Sequence, residues 1–135
     1  MKIALTQSQQ RIAPLFDSAT TLELYETQGY GKEIQFLGIH RCESGAKESI
    51  DTLINLDVKV VICGAISSEY EQLLLLHHID LYAYISGDVE EVLGGWQMGK
   101  LHAHYFSMPG CEHPRHCSHR GNVRRCRNRA NRRNI

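Results

Sequence analysis

The sequence of 135 residues contains no apolar run near the roughly 20 residues that a membrane-spanning helix requires. The amino terminus turns polar at Thr6, too early for the apolar region of a signal peptide. These two absences predict a cytoplasmic protein that does not enter a membrane. In that compartment the five cysteines are expected to be thiols or metal ligands rather than disulfides.

The chain also lacks the short motifs of common catalytic sites. It has no Gly-x-Gly-x-x-Gly fingerprint, no P-loop and no Gly-x-Ser-x-Gly elbow. Its first apolar segment, residues 2–5, carries no carboxylate, whereas metal-dependent nucleases need several carboxylates to hold divalent ions. We therefore expect that the protein is not an enzyme.

The net charge of the whole chain is zero, but the positive and negative residues are unevenly distributed along the sequence. Residues 1–110 carry 7 Lys+Arg and 14 Asp+Glu, a net charge of −7, whereas residues 111–135 carry 8 Arg and one Glu, a net charge of +7. The apolar periodicity stops near Pro109-Gly110. We therefore divide the chain into an acidic α/β domain, residues 1–107, and a basic Cys/His-rich tail, residues 108–135.

The continuous apolar run of residues 58–62, which ends at Cys63-Gly64, is typical of a strand buried on both faces of a parallel sheet. Residues 2–5 and 79–85 also read as strands, and residues 21–26 and 33–37 as an antiparallel hairpin. Residues 6–16 and 40–43 read as loops. Three helices are predicted, the first capped by Ser44, the second by a capping box of Ser68 and Glu71, and the third by Asp88.

Right-handed crossovers restrict how these elements assemble. They predict an α/β fold with a ribonuclease H-like mixed five-stranded sheet, strand order 3-2-1-4-5, flanked by helices. Four of the five strands then share one direction, so their carboxyl ends meet at one edge. We expect a single crevice there, where open α/β sheets bind ligands, formed by the four segments that follow these strands: residues 6–11, 40–43, 63–65 and 86–87.

The tail concentrates potential metal ligands within 16 residues, a set that suits zinc: Cys111, His113, His116, Cys117, His119 and Cys126. Their spacing differs from the paired Cys-x2-Cys knuckle, so the metal stays open. The alternative is a disordered basic segment with incidental thiols.

The arginines of the tail support a second class of function. They would attract phosphate groups, but no aromatic residue lies between Cys111 and Ile135 to stack on bases. The alternative function is therefore a regulatory or interaction module whose tail binds nucleic acid, weakly and without sequence preference, or an acidic protein.

Several segments resemble the dinitrogenase iron–molybdenum cofactor biosynthesis family: Met1-Lys2-Ile3-Ala4, Arg11-Ile12-Ala13-Pro14-Leu15-Phe16, Val60-Val61-Ile62-Cys63-Gly64-Ala65-Ile66 and Asp88-Val89-Glu90-Glu91-Val92-Leu93. The likeness covers about residues 1–105. It implies a small accessory protein that holds or carries an iron–sulfur or molybdenum-containing cluster during metallocofactor assembly, with assembly or acceptor proteins as partners. The orange protein of sulfate reducers, which holds a molybdenum–copper cluster, is similar.

The chain departs from the family pattern at two places. Many members have His-Phe-Gly where this chain has Leu15-Phe16-Asp17, and Gly-Gly where it has Cys63-Gly64. On the cluster hypothesis the crevice would bind the cluster through backbone N–H groups and nearby side chains, with Cys42 or His40 as the direct ligand. The predicted binding residues are Thr6, Ser8, Arg11, His40, Arg41, Cys42, Cys63 and Gly64. Cys63 could instead be a small apolar residue at the end of a buried strand.

Overall fold

The computed structural model describes residues 1–29 and 31–101, and the backbone alone of residues 115–117. The strands are β1 (Lys2–Ser8), β2 (Arg11–Ile12), β3 (Thr21–Thr27), β4 (Ile34–Arg41), β5 (Val58–Ile62), β6 (Asp80–Ala83) and β7 (Arg115–Cys117). The helices are α1 (Ala46–Asn55), α2 (Ser68–Leu76) and α3 (Val89–Gln97), with a 3-10 turn at Phe16–Ser18. Over the described residues, no helix has the length and apolar content needed to cross a membrane.

The strands form one mixed sheet in the order β4-β3-β1-β5-β6-β7, and β2 pairs with β1 outside this path. The predicted order 3-2-1-4-5 is confirmed as β4-β3-β1-β5-β6. Because β1, β5 and β6 are parallel and β3 is antiparallel to both β1 and β4, the carboxyl ends of β1, β4, β5 and β6 share one edge of the sheet, called the carboxyl edge below.

Side chains alternate along each strand, so the sheet separates two apolar cores. The face packed by α1 and α2 is called the first face, and its core includes Ala4, Leu22, Val61 and Leu81. The face packed by α3 is called the second face, and its core includes Ile3, Leu5, Val60, Ile62, Val92 and Trp96. The apolar residues of α3 recur at i, i+3, i+4 and i+7, a spacing that predicts one buried helical face, and all four are buried: Val89, Val92, Leu93 and Trp96.

Two of the three predicted helix starts are wrong by one residue. Gly45, not Ser44, is the N-cap of α1, and Ser67, not Ser68, is the N-cap of α2. The capping box fails because the N-cap is Ser67, so Glu71 is the fourth residue of α2 rather than the third, and the cap has no side-chain hydrogen bond. Asp88 is the N-cap of α3 as predicted, although its side chain makes no capping hydrogen bond.

The segments predicted as loops are largely extended backbone. β1 continues to Ser8 and turns back into β2, so residues 6–16 are not a polar loop. β4 includes His40 and Arg41, which pair with Leu22 and Thr21 of β3. The predicted domain boundary at 107–108 lies outside the described residues.

Candidate functional site

A tight hairpin between β1 and β2 stands at the carboxyl edge. Ser8 pairs with Arg11, and the two residues between them, Gln9 and Gln10, have φ values of 53° and 66°. Left-handed backbone at both central positions is the geometry of a type I′ turn, which glycine and asparagine favour. The Gln10 carbonyl accepts the Val89 N–H at 3.0 Å, which joins this turn to the start of α3.

The chain after the hairpin covers the ends of the central strands. The Ile12 N–H donates to the Gly87 carbonyl at 3.0 Å, and the Phe16 N–H donates to the Ala65 carbonyl at 2.7 Å. Residues 11–16 therefore fill the space above β5 and β6 where a single crevice was predicted. That prediction is wrong because the supposed loop folds back onto the sheet.

Gly64 is required by this close approach. A Cβ at Gly64 would lie 2.5 Å from the carbonyl oxygens of both Ala13 and Pro14. The Ala65 N–H donates to the Pro14 carbonyl at 2.9 Å, which holds the two segments together. Gly64 is therefore a packing residue beneath residues 13–14.

Among the described residues, two separate cavities flank the hairpin. The first, about 330 Å³, is lined by Ser8 and by residues 13–15 and 18–21. The second, about 510 Å³, lies on the second face and is lined by Arg11, Glu23, Tyr25, Ile39 and residues 88–90. Gln7 and Gln9 line both cavities. Of the eight predicted cluster-binding residues, Ser8 lines the first cavity and Arg11 the second.

Arg11 bridges the hairpin and α3. Its guanidinium nitrogen lies 3.0 Å from the Asp88 carboxylate, and the two side chains are 60% and 54% exposed. An ion pair this exposed contributes little stability because water screens it. Arg11 is consequently a cation of the carboxyl edge that a ligand could recruit at small cost.

The predicted direct ligands separate into one exposed and one buried residue. His40 and Arg41 are exposed at the end of β4. Cys42 was expected in an exposed loop, but its side chain is 0% exposed and belongs to the core of the first face. Its thiol donates to the Thr52 hydroxyl at 3.7 Å. The first turn of chain after β4 carries Cys42 inward against α1, which the local sequence does not reveal.

Cys63 and Thr6 are also buried. Cys63 is 0% exposed in the first core, as expected of a small apolar residue. Thr6 is 1% exposed, and its hydroxyl oxygen has no hydrogen-bond partner among the described residues. Neither side chain lines the two cavities, so the structure does not bring the eight residues together at one surface.

Metal ligands are not clustered in the domain. Within residues 1–29 and 31–101, no three His, Cys, Asp or Glu side chains are placed to hold a metal ion. The six predicted tail ligands lie outside the side chains that the structure describes. Only the backbone of His116 and Cys117 is described, opposite Tyr82 and Leu81 in β6.

A buried carboxylate on the second face escaped the sequence predictions. Glu23 is 9% exposed and accepts a 2.7 Å hydrogen bond from the Tyr25 hydroxyl. Burial, then this hydrogen bond and the charges of Glu23 and Glu90, raise the pKa of Tyr25 well above its usual range. The available signal was Glu23 itself, a charged residue inside an alternating strand next to Tyr25.

A known protein family matches the part of the chain that forms the described α/β fold. The family model described as "Dinitrogenase iron-molybdenum cofactor" matches residues 1–99. The chain belongs to this family. The match ends two residues after α3 and covers β1 to β6, so the family domain is the described α/β unit. The predicted resemblance is confirmed.

Solved structures share the fold at low sequence identity. The crystal structure of PH0822 has a TM-score of 0.66 and 12% identity, over 74% of this chain and 93% of that one. A protein described as a "putative dinitrogenase" from Methanocaldococcus jannaschii has a TM-score of 0.59 and 16% identity, over 74% and 90%. A "putative NifB protein" from Thermotoga has a TM-score of 0.53 and 16% identity, over 73% of this chain and 89% of that one. No curated protein matches the chain.

Proposed function

We propose that this protein binds a metal ion or metal–sulfur cluster as cargo and delivers it to an acceptor protein during metallocofactor assembly. The observation that carries the proposal is membership of the dinitrogenase iron–molybdenum cofactor family over residues 1–99. The partners would be assembly or acceptor proteins. The protein would act by binding and release, without catalysing a reaction of its own.

The described side chains argue against a thiolate-ligated cluster within the folded domain. Cys42 and Cys63 are its two cysteines, and both are completely buried. A cluster needs several ligands on one accessible surface, and His40 alone cannot provide them. We therefore place the metal ligands in the tail, among Cys111, His113, His116, Cys117, His119 and Cys126.

The sheet separates the tail from the exposed histidine of β4. β7 and β4 are the two edges of the sheet, five strand spacings apart, which is about 24 Å at the usual spacing. His116 and Cys117 therefore cannot share a site with His40 in this arrangement. A tail site beside β6 would be separate from the carboxyl edge.

The test is to purify the full chain without oxygen and to measure its metal and sulfide content and its absorption spectrum. The wild type is expected to contain metal, and a variant with Cys111, Cys117 and Cys126 changed to serine is expected to lose it. Cys42→Ser is the matched control, since it removes a buried thiol and should keep the metal.

Each remaining outcome rejects part of the proposal. Loss of metal in His40→Gln with retention in the tail variant would return the site to the carboxyl edge. A wild type that stays without metal after reconstitution with iron and sulfide, or with zinc, would reject cargo binding. Salt-dependent nucleic-acid binding by that metal-free chain would favour the alternative function of the tail.

A further inference from the structure

A groove on the second face is lined by aromatic rings and carboxylates. It runs between α3 and the β3–β4 hairpin and includes the second cavity and its continuation along α3. The lining residues of the continuation are Glu23, Tyr25, Ile34, Phe36, Glu90, Leu93, Gly94 and Gln97. We call this the α3 groove. None of the residues predicted for cluster binding lines this continuation.

Glu23 is the anchor of the α3 groove. Its carboxylate is nine-tenths buried, yet the Tyr25 hydroxyl is the one hydrogen-bond donor that it has among the described residues. A carboxylate can accept about four hydrogen bonds, and a buried charge is costly unless it is paired. Arg11, the cation that lines the adjoining cavity, is bonded to Asp88. The remaining acceptor positions of Glu23 are therefore available to a cation from elsewhere.

The aromatic residues indicate which cation fits. The rings of Tyr25 and Phe36 pack with centroids 5.3 Å apart and an angle of 56° between their planes, and Phe36 remains 53% exposed. A guanidinium stacks on aromatic faces and bonds a carboxylate through two parallel N–H groups, whereas an ammonium does neither as well. Glu90, exposed on α3, adds a second negative charge to the groove wall. The groove suits arginine.

The same chain contains a segment with this chemistry. Residues 118–135 include seven arginines and no lysine, aspartate or glutamate. β7 runs antiparallel to β6, with Arg115 opposite Ala83 and Cys117 opposite Leu81, so the chain leaves β7 at the sheet edge opposite the carboxyl edge. The α3 groove ends at that edge too, at Gln97 and Ile34.

The tail is long enough to extend from β7 to the α3 groove. β7 and β3 are four strand spacings apart, about 19 Å at the usual spacing. Arg124 follows Cys117 by seven residues, which span about 23 Å when extended, and the later arginines have more reach. A path around α3 is therefore within the length of residues 118–135.

We propose that the α3 groove is an arginine-binding site that holds the arginine-rich tail, residues 118–135, of the same molecule. Glu23 and Glu90 accept guanidinium N–H groups, and Tyr25 and Phe36 provide the surface on which the guanidinium stacks. The acidic domain thereby neutralises its own basic tail. None of these four groove residues is a proposed metal ligand, whereas the tail segment that they hold contains two proposed ligands, His119 and Cys126.

Trypsin cleavage after the tail arginines tests the proposal in the full chain, with mass spectrometry to follow each bond. Glu23→Gln/Glu90→Gln should raise the cleavage rates about tenfold at low salt, as expected for the loss of about 1.4 kcal/mol of binding. Glu69→Gln is the matched control, an exposed carboxylate on α2 at the opposite face, and should leave the rates unchanged. High salt should raise the wild-type rates towards those of the double variant.

Two further variants separate arginine recognition from general attraction. Replacing the seven arginines by lysine keeps the charge and the trypsin sites, and should speed cleavage nearly as much as the double variant. Phe36→Ala removes an exposed ring without disturbing a buried charge, so it tests the groove even if Glu23→Gln unfolds the domain. It should speed cleavage several-fold.

Three results would overturn the proposal. Equal cleavage rates in the wild type, the double variant and Phe36→Ala would show that the tail does not occupy the groove. Full protection in the lysine variant would show that the attraction is not selective for arginine. Protection that increases with protein concentration would place the tail on a second copy instead of its own domain.

Discussion

Gly64 shows how a single residue shapes the carboxyl edge. Its position after β5 is typical of a sharp turn, but the structural requirement is space. The carbonyl groups of Ala13 and Pro14 approach so closely that a methyl group at Gly64 would overlap both oxygens. Because these are backbone atoms, they cannot move aside without displacing residues 11–16.

Gly64→Ala is expected to destabilise the protein by about 1–3 kcal/mol, the usual range for overpacking. Gly94→Ala is the matched control, because a Cβ at Gly94, inside α3, meets nothing within 4 Å. It should stabilise by about 0.5–1 kcal/mol through helix propensity. Urea unfolding of both variants measures the difference, and an unchanged midpoint in Gly64→Ala would contradict the packing role.

The β1–β2 hairpin is the element on which the carboxyl edge depends. It joins α3 through the Gln10 carbonyl and separates the two cavities. Its two central residues hold left-handed backbone that glutamine adopts at a cost. Strained backbone is commonly retained where a site requires it, and Gln9 lines both cavities.

Gln9→Asn/Gln10→Gly is expected to stabilise the fold by about 1 kcal/mol, because these residues suit a type I′ turn. The change keeps the carbonyl that accepts the Val89 N–H. Gln9→Ala/Gln10→Ala, which does not relieve the strain, should give no gain. Thermal unfolding compares the two variants, and a loss of stability in the first would mean that the glutamine side chains make compensating contacts.

At the scale of the whole molecule, the two faces of the sheet differ in how accessible their side chains are. The first face buries Cys42 and Cys63 under α1 and α2. The second face leaves the α3 groove open beside a covered core. Reagents therefore reach the two thiols through opening of the first core, while the second face is accessible in the folded state.

Iodoacetamide should modify Cys42 and Cys63 at least about 100-fold more slowly in the native full chain than in guanidinium, since opening costs several kcal/mol. Peptide mapping after timed quenching measures each site. The denatured chain is the control for intrinsic thiol reactivity. Rapid native modification of Cys42 would restore it as an accessible metal ligand at the carboxyl edge.

The sequence by itself determined the order and direction of the main elements. The apolar run of β5, the alternation of β3 and β4 and the periodicity of α3 are local patterns, and short right-handed connections leave few ways to assemble them. From these patterns the strand order of the sheet and the resemblance to the family were predicted. Two of the predicted binding residues, Ser8 and Arg11, line cavities at the carboxyl edge, and their role in binding stays a prediction.

Only the tertiary structure decided which candidate residues are accessible. Cys42 and His40 are two positions apart, yet one is buried against α1 and the other exposed on an edge strand. Residues 11–16 close the predicted crevice through hydrogen bonds to segments about 50 or more residues away. Glu23 becomes a groove anchor because of Tyr25, Phe36 and α3 around it. Accessibility depends on contacts between distant segments, which local sequence patterns do not encode.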